Sequence, residues 1–143
     1  MLQLPSDVLA QIHAHGEEAY PEEGAGFLLG VDGESRRVVK IFPLPNVRED
    51  SARHNRYLIS PGDYLKAEDE ADRLGLSLIG VFHSHPDHPN RPSEFDREWA
   101  QPFFSYIITS VDLGKAVESR SWKLAEDRSQ FTEEEIQIPN GKE

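Results

Sequence analysis

Apolar positions along this chain fall into short, separated runs, most of them of strand length. Near the start, Val8, Leu9 and Ile12 recur at helical spacing behind Pro5-Ser6-Asp7, which predicts a capped amphipathic helix running to about Ala19. Tyr20-Pro21 ends it. Gly24–Val31 and Arg37–Leu44 read as strands joined by a turn at Asp32-Gly33. Pro45–Arg56 is polar without a period and reads as a loop, and Tyr57-Leu58-Ile59 as a short strand. Ser60-Pro61-Gly62-Asp63 opens a second helix through Leu74, with proline in its first turn and Gly75 where a C-cap belongs. Leu76–Phe82 is expected to be a buried strand, His83–Pro92 a loop and Ser93–Ala100 a short helix. Phe104–Val111, Ala116–Lys123 and Phe131–Ile138 complete the set. Strands outnumber helices, and the helices fall between groups of strands. The expected fold class is therefore α+β (mixed α/β), a central, mostly antiparallel sheet flanked by helices. With no internal repeat or linker, residues 1–143 are expected to form a single domain.

Composition narrows the function. Apolar residues are 37% and charged residues 29%, as in a globular protein. Fifteen Lys and Arg against 26 Asp and Glu leave a formal charge of −11, which argues against nucleic acid as a partner, since phosphate contacts need a clustered positive face. Ten of the cations are Arg and five Lys, a balance that with this acidity would suit a salt-loving organism. There is no cysteine, so disulfides, thiol nucleophiles and Cys-ligated metals are excluded, and any metal must be held by His, Asp, Glu or water. The longest apolar runs (Gly26–Val31, Leu76–Phe82, Tyr106–Val111) fall short of the roughly 20 residues of a membrane span, and the first residues lack a signal-peptide layout. The expectation is a cytoplasmic protein with no membrane partner.

Candidate chemistry concentrates in His83-Ser-His85-Pro-Asp-His-Pro-Asn-Arg-Pro-Ser93-Glu-Phe-Asp96. In extended backbone His83 and His85 point to the same side, which makes half of a tetrahedral metal site. Asp96 could supply a third ligand, because Ser93 and Asp96 share a face in a helix beginning after Pro92. Prolines 86, 89 and 92 limit the entropy of bringing Asp96 back towards the histidines. Taken alone, Ser93 and Asp96 are better read as a helix cap and its first-turn carboxylate. The combination with His-x-His favours a metal site with an open fourth position for water, as in catalytic zinc centres. The other His-x-His, His13 and His15, lies in a predicted helix where residues two apart diverge, and is expected at the surface. His88 is expected to face solvent or substrate, and the pattern gives His54 no role. A metal-activated water also needs a base, and Glu22 and Glu23 stand where a helix ends and an apolar strand begins, with Gly24, Gly26 and Gly30 allowing close backbone approach.

Together these two segments resemble the JAMM/MPN+ metallopeptidases. That family joins an upstream Glu to His-x-His, seven residues, Ser, two residues and Asp, and every position is filled here. Its Pro-x-Glu-x-Cys-Gly-x-Leu-x-Gly block matches Pro21 to Gly30 and selects Glu23 over Glu22. Ala25 departs from the usual Cys, which touches packing rather than catalysis. The resemblance runs from about residue 1 to 125 and implies a cytidine-deaminase-like fold and one zinc ion per chain on His83, His85 and Asp96. It implies Glu23 as the proton acceptor and Ser93 as the donor to the oxyanion in peptide or isopeptide hydrolysis. The short chain looks closest to small bacterial members, some of which act at the C-terminal tail of a ubiquitin-like or sulfur-carrier protein. Two alternatives remain at this stage: an inert MPN-type scaffold, and a metal hydrolase of a non-protein substrate.

Overall fold

The computed structural model describes residues 1–44 and 59–139. The expected loop over 45–56 and residues 57 and 58 of the expected short strand lie outside the described residues, and Ile59 is not in a strand. The chain runs β1 (Leu2–Gln3), α1 (Ser6–Ala19), β2 (Ala25–Val31), β3 (Arg36–Pro43), α2 (Pro61–Leu74), β4 (Ser77–Pro86), α3 (Glu94–Trp99), β5 (Ser105–Asp112), β6 (Lys115–Leu124), β7 (Phe131–Glu134) and β8 (Ile136–Gln137). Among the described residues these strands form one sheet in the order β7-β6-β5-β4-β2-β3-β1-β8. The ladders β2–β3, β2–β4, β5–β6 and β6–β7 are antiparallel, whereas β4–β5, β1–β3 and β1–β8 are parallel. The sheet is mixed and mostly antiparallel, flanked by helices, as expected. The parallel β4–β5 pair needs a crossover, and α3 lies in it, which returns the chain to the end of β4.

Helices cover both faces. On one side α1 packs Val8 and Ile12 against Leu28, Ile79, Phe82 and Ile107. On the other, α2 packs Ala67 and Ala71, small enough for close approach, with Phe27, Leu29, Val81 and Tyr106. Burial on both faces explains why residues 25–30 of β2 are uniformly buried instead of alternating. The α2 ends follow expectation: Ser60 and Asp63 form a reciprocal capping box, and Gly75 closes the helix in the left-handed region at φ 71°. At α1 the expected side-chain cap is absent. Pro5 is the N-cap, and only Asp7 in the first turn complements the helix dipole.

Two boundaries differ from expectation for non-local reasons, and one strand is additional. The strand expected to end at Phe82 continues to Pro86, because β5 pairs along it residue by residue from Gly80↔Ser105 to Pro86↔Val111. His83 and His85 therefore sit in a strand, not in the loop assigned to 83–92. The expected strand over 131–138 is broken at Glu135: β7 pairs with β6 at one sheet edge and β8 with β1 at the other. One residue separates them, so the sheet curls until its two edges meet, with Leu2 N–H donating to Glu135 O at 2.9 Å and Leu4 N–H to Gln137 O at 2.9 Å. The two-residue strand β1, unforeseen in the sequence, exists only as the filler of that seam. Among the described residues no helix is long and apolar enough to cross a membrane.

Candidate metal centre

Val81 belongs to the α2-side core and Phe82 to the α1-side core. Alternation along β4 then sends His83 and His85 to Val81's side and Ser84 to Phe82's. The helix α3 begins at the same end, and its first turn delivers Asp96 between the two imidazoles. Asp96 Oδ1 lies 3.5 Å from His83 Nε2, and Asp96 Oδ2 lies 3.4 Å from His85 Nε2. One donor atom from each residue can be chosen so that all three fall within 4.8 Å of one another. The trio is buried, with His83 1%, His85 7% and Asp96 4% exposed.

This donor set fits a divalent cation of the zinc type. Ligand atoms about 2.0–2.1 Å from a tetrahedral ion stand roughly 3.4 Å apart, close to the two carboxylate–imidazole distances. The His85 Nδ1–H donates to Pro89 O at 2.7 Å, which leaves Nε2 directed at the trio. Ser93 and Asp96 also make the helix cap weighed above. Ser93 Oγ accepts from Asp96 N–H at 3.1 Å, and Asp96 Oδ2 accepts from Ser93 N–H at 2.7 Å. The cap and the donor role coexist because a carboxylate has lone pairs for both.

Burial pushes the His83 imidazole down from its ordinary 6.5 to about 4, against the opposing pull of Asp96. For Asp96, burial favours the neutral acid, yet the imidazoles and the Ser93 N–H outweigh it and hold the carboxyl at about 2. Near neutrality His83 is thus a neutral donor and Asp96 an anion, the forms a cation requires. A stability effect follows for the metal-free protein. The unfolded chain protonates His83 near 6.5 and the folded chain only near 4, so stability falls as pH drops through that window, by about 3 kcal/mol in all. The Asp96 contribution is present above its unfolded value of 3.8 and is lost only as pH falls through about 2. Burial also lowers His13 and His15. The contribution of His83 is therefore the part of the difference between denaturant melts at pH 7.5 and 4.5 of metal-stripped protein that His83→Gln removes, and an unchanged difference in that variant would refute it.

The glutamate segment is fastened to the same strand from the opposite side. Ser84 Oγ accepts from Gly24 N–H at 2.8 Å, and Ser84 N–H donates to Gly24 O at 3.0 Å. The residue after Glu23 is thereby stapled to the residue between the two histidines, and the pairing continues at Ala25↔His83. A side chain at Gly24 would have to displace the His15 ring, since a Cβ there would stand 2.8 Å from His15 Nδ1. A cavity of about 330 Å³ is lined by Glu23, His85, His88, Pro89, Arg91 and Ser93. Glu23 rather than Glu22 is on its wall, and the exposed His88 faces it as anticipated.

Some residues fall elsewhere than expected. His13 and His15 are not surface decoration: His13 Nε2 meets Ser119 Oγ at 2.9 Å, and His15 packs edge-on against Phe82 with ring centroids 5.3 Å apart. They do diverge, but α1 lies across the sheet, so both flanks of its apolar stripe find neighbours. His54 lies outside the described residues. Ser84 and Asp87 had been given no role. Asp87, at φ 58°, accepts from Tyr20 O–H at 2.7 Å and Leu113 N–H at 2.8 Å, fixing the chain just beyond His85. The alternation that aligned the histidines could have flagged Ser84; nothing local marks Asp87.

A probable TtuB-protein conjugate cleaving protease of Thermus thermophilus is 36% identical over 112 residues, covering 78% of this chain and 72% of that protein. A desampylase of Haloferax volcanii is 31% identical over 116 residues, covering 78% and 81%. The solution structure of a protein from Desulfitobacterium hafniense aligns with a TM-score of 0.83 at 32% identity, over 97% of this chain and 93% of that one. The family model for prokaryotic homologs of the JAB domain matches residues 5–125, and it is to this family that the chain belongs.

Proposed function

We propose that this protein is a zinc-dependent peptidase that cleaves the amide or isopeptide bond at the C-terminal tail of a ubiquitin-like or sulfur-carrier protein. The observation that carries this reading is the buried trio His83, His85 and Asp96 beside a cavity walled by Glu23 and Ser93. His83, His85 and Asp96 would hold the ion, and when bound it supplies the charge that acidifies a water and polarises a carbonyl. Glu23 takes the proton from the attacking water and passes it to the departing nitrogen. Ser93 O–H donates to the carbonyl oxygen as negative charge develops there, its own Oγ being oriented by Asp96 N–H. An extended tail suits a sheet-based cleft. The named activities of the relatives, a TtuB-conjugate protease and a desampylase, support the substrate class. A scaffold reading finds no use for three buried donors around one point.

The test is to incubate zinc-loaded protein with ubiquitin-like carriers bearing C-terminal adducts and to follow intact masses. The free carrier should appear with time and only with metal present. Conjugates that stay intact beside protein carrying about one zinc per chain would overturn the reading.

A further inference from the structure

The β2–β4 ladder closes beside the metal centre on a mixed pair. Antiparallel residues that face each other as a hydrogen-bonded pair normally exchange two backbone bonds. Between Gly24 and Ser84 one of these is present, Ser84 N–H donating to Gly24 O at 3.0 Å. The other is replaced: Gly24 N–H donates at 2.8 Å to the Ser84 hydroxyl oxygen instead of the Ser84 carbonyl. A side chain thus completes the ladder at the residue between the two histidines.

That N–H belongs to the peptide unit joining Glu23 to Gly24. The unit is planar, so a bond that fixes its N–H fixes the plane from which the Glu23 Cα departs. The surroundings keep the bond dry. Ser84 is 3% exposed, and α1 lies over it so closely that a Cβ on Gly16 would stand 3.3 Å from Ser84 Cβ. From the same helix the His15 ring backs Gly24. Tyr20 makes an outer fastening through its O–H to Asp87 Oδ2, so Glu23 lies on a short segment tied on either side, to residues 84 and 87. Water can replace a partner lost at the exposed Tyr20 bond, but not at the buried Ser84 bond, so the inner fastening carries more of the placement.

Resting on the peptidase reading above, we infer that Ser84 is a positioning residue for the base: its hydroxyl holds the Glu23–Gly24 peptide and so sets where the Glu23 carboxylate stands on the cavity wall. Ser84 touches neither the ion's donors nor substrate. Alternation along β4 sends its side chain to the face opposite His83 and His85. Its contribution is therefore to the rate of the chemical step, separable from metal binding and from substrate affinity.

The test is a double-mutant cycle on zinc-loaded protein with carrier adducts. Ser84→Ala should keep about one zinc per chain and an unchanged KM, while kcat falls roughly 10- to 100-fold, the cost of displacing a reacting group by about 1 Å. Ser84→Thr keeps the hydroxyl and should recover most of the loss. In a Glu23→Gln background Ser84→Ala should change kcat by less than about twofold, because its effect runs through the carboxylate it places. Hydrogen exchange on metal-free protein reads the hold without turnover: the Gly24 amide should be protected in the native chain and exchange at least roughly tenfold faster in Ser84→Ala. An unchanged kcat in Ser84→Ala, the same fold-loss in both backgrounds, or loss of zinc from Ser84→Ala overturns the inference and leaves the peptidase intact. Native protein that cleaves no carrier adduct while its Gly24 amide stays protected overturns the peptidase reading instead.

Discussion

Replacing Glu23 by Gln is expected to lower hydrolysis by roughly 10²- to 10⁴-fold, the usual worth of a general acid–base group, while zinc content and melting temperature stay unchanged. Gln keeps the size and hydrogen-bonding reach of Glu but cannot accept a proton. Glu23 stands outside the trio of donors, so its charge is not needed to hold the ion. The staple that places it runs through Gly24 backbone atoms and Ser84 Oγ, none of which the substitution alters. Glu22→Gln is the matched control. It makes the same change one residue away, at a carboxylate that is not on the cavity wall, and should leave turnover intact. Metal analysis, thermal melts and single-turnover assays on the two variants separate the roles. Undiminished turnover in Glu23→Gln would remove Glu23 from the chemistry, and loss of zinc would instead make it part of the metal's surroundings.

How much of this was legible in the sequence depends on the range of the forces involved. The paired direction of His83 and His85 was, because extended backbone alternates whether or not a neighbouring strand is present. Where the strand ends was not. Pro86 and Pro89 look like turn formers, and only the partner β5 extends β4 through Pro86. The helix rule correctly said that His13 and His15 diverge, but it carries no information about what lies beyond each flank, so neither Ser119 nor Phe82 could be foreseen. The break at Glu135 records the meeting of two sheet edges, a property of the sheet's total curl. Arg36 is a similar case. Its buried guanidinium donates to Ile79 O at 3.1 Å, Ser105 Oγ at 2.9 Å and Phe103 O, joining segments that are distant in sequence.

Ser-x-x-Asp occurs twice in this chain, and the two copies set up the second large effect. Ser60/Asp63 and Ser93/Asp96 form the same reciprocal capping box on nearly the same backbone, with N-cap φ and ψ of −85° and 162° in one and −94° and 174° in the other. They differ in what faces the carboxylate. The Asp63 box is exposed, whereas Asp96 is 4% exposed and meets both imidazoles. Asp63→Ala removes only the reciprocal half of its box and leaves the Ser60 cap in place, so it should cost no more than about 1 kcal/mol, and nothing else. Asp96→Ala loses the same half of its box and also one of three donors. Even second-sphere partners are worth about 10- to 100-fold in metal affinity, so removing a donor itself should exceed that and leave zinc content near zero after dialysis. Melting with and without zinc distinguishes the components, because an ion that binds only the folded state raises stability in proportion to the logarithm of its concentration over Kd. The native chain and Asp63→Ala should both gain stability on adding zinc, by equal amounts. Asp96→Ala should gain none, although its metal-free melt should resemble that of Asp63→Ala to within a few kcal/mol, the extra loss being the part-buried Ser93 N–H left without its carboxylate. A zinc-induced shift of ordinary size in Asp96→Ala would mean that the histidines find their third partner elsewhere, and that Asp96 is a helix cap that happens to lie beside them.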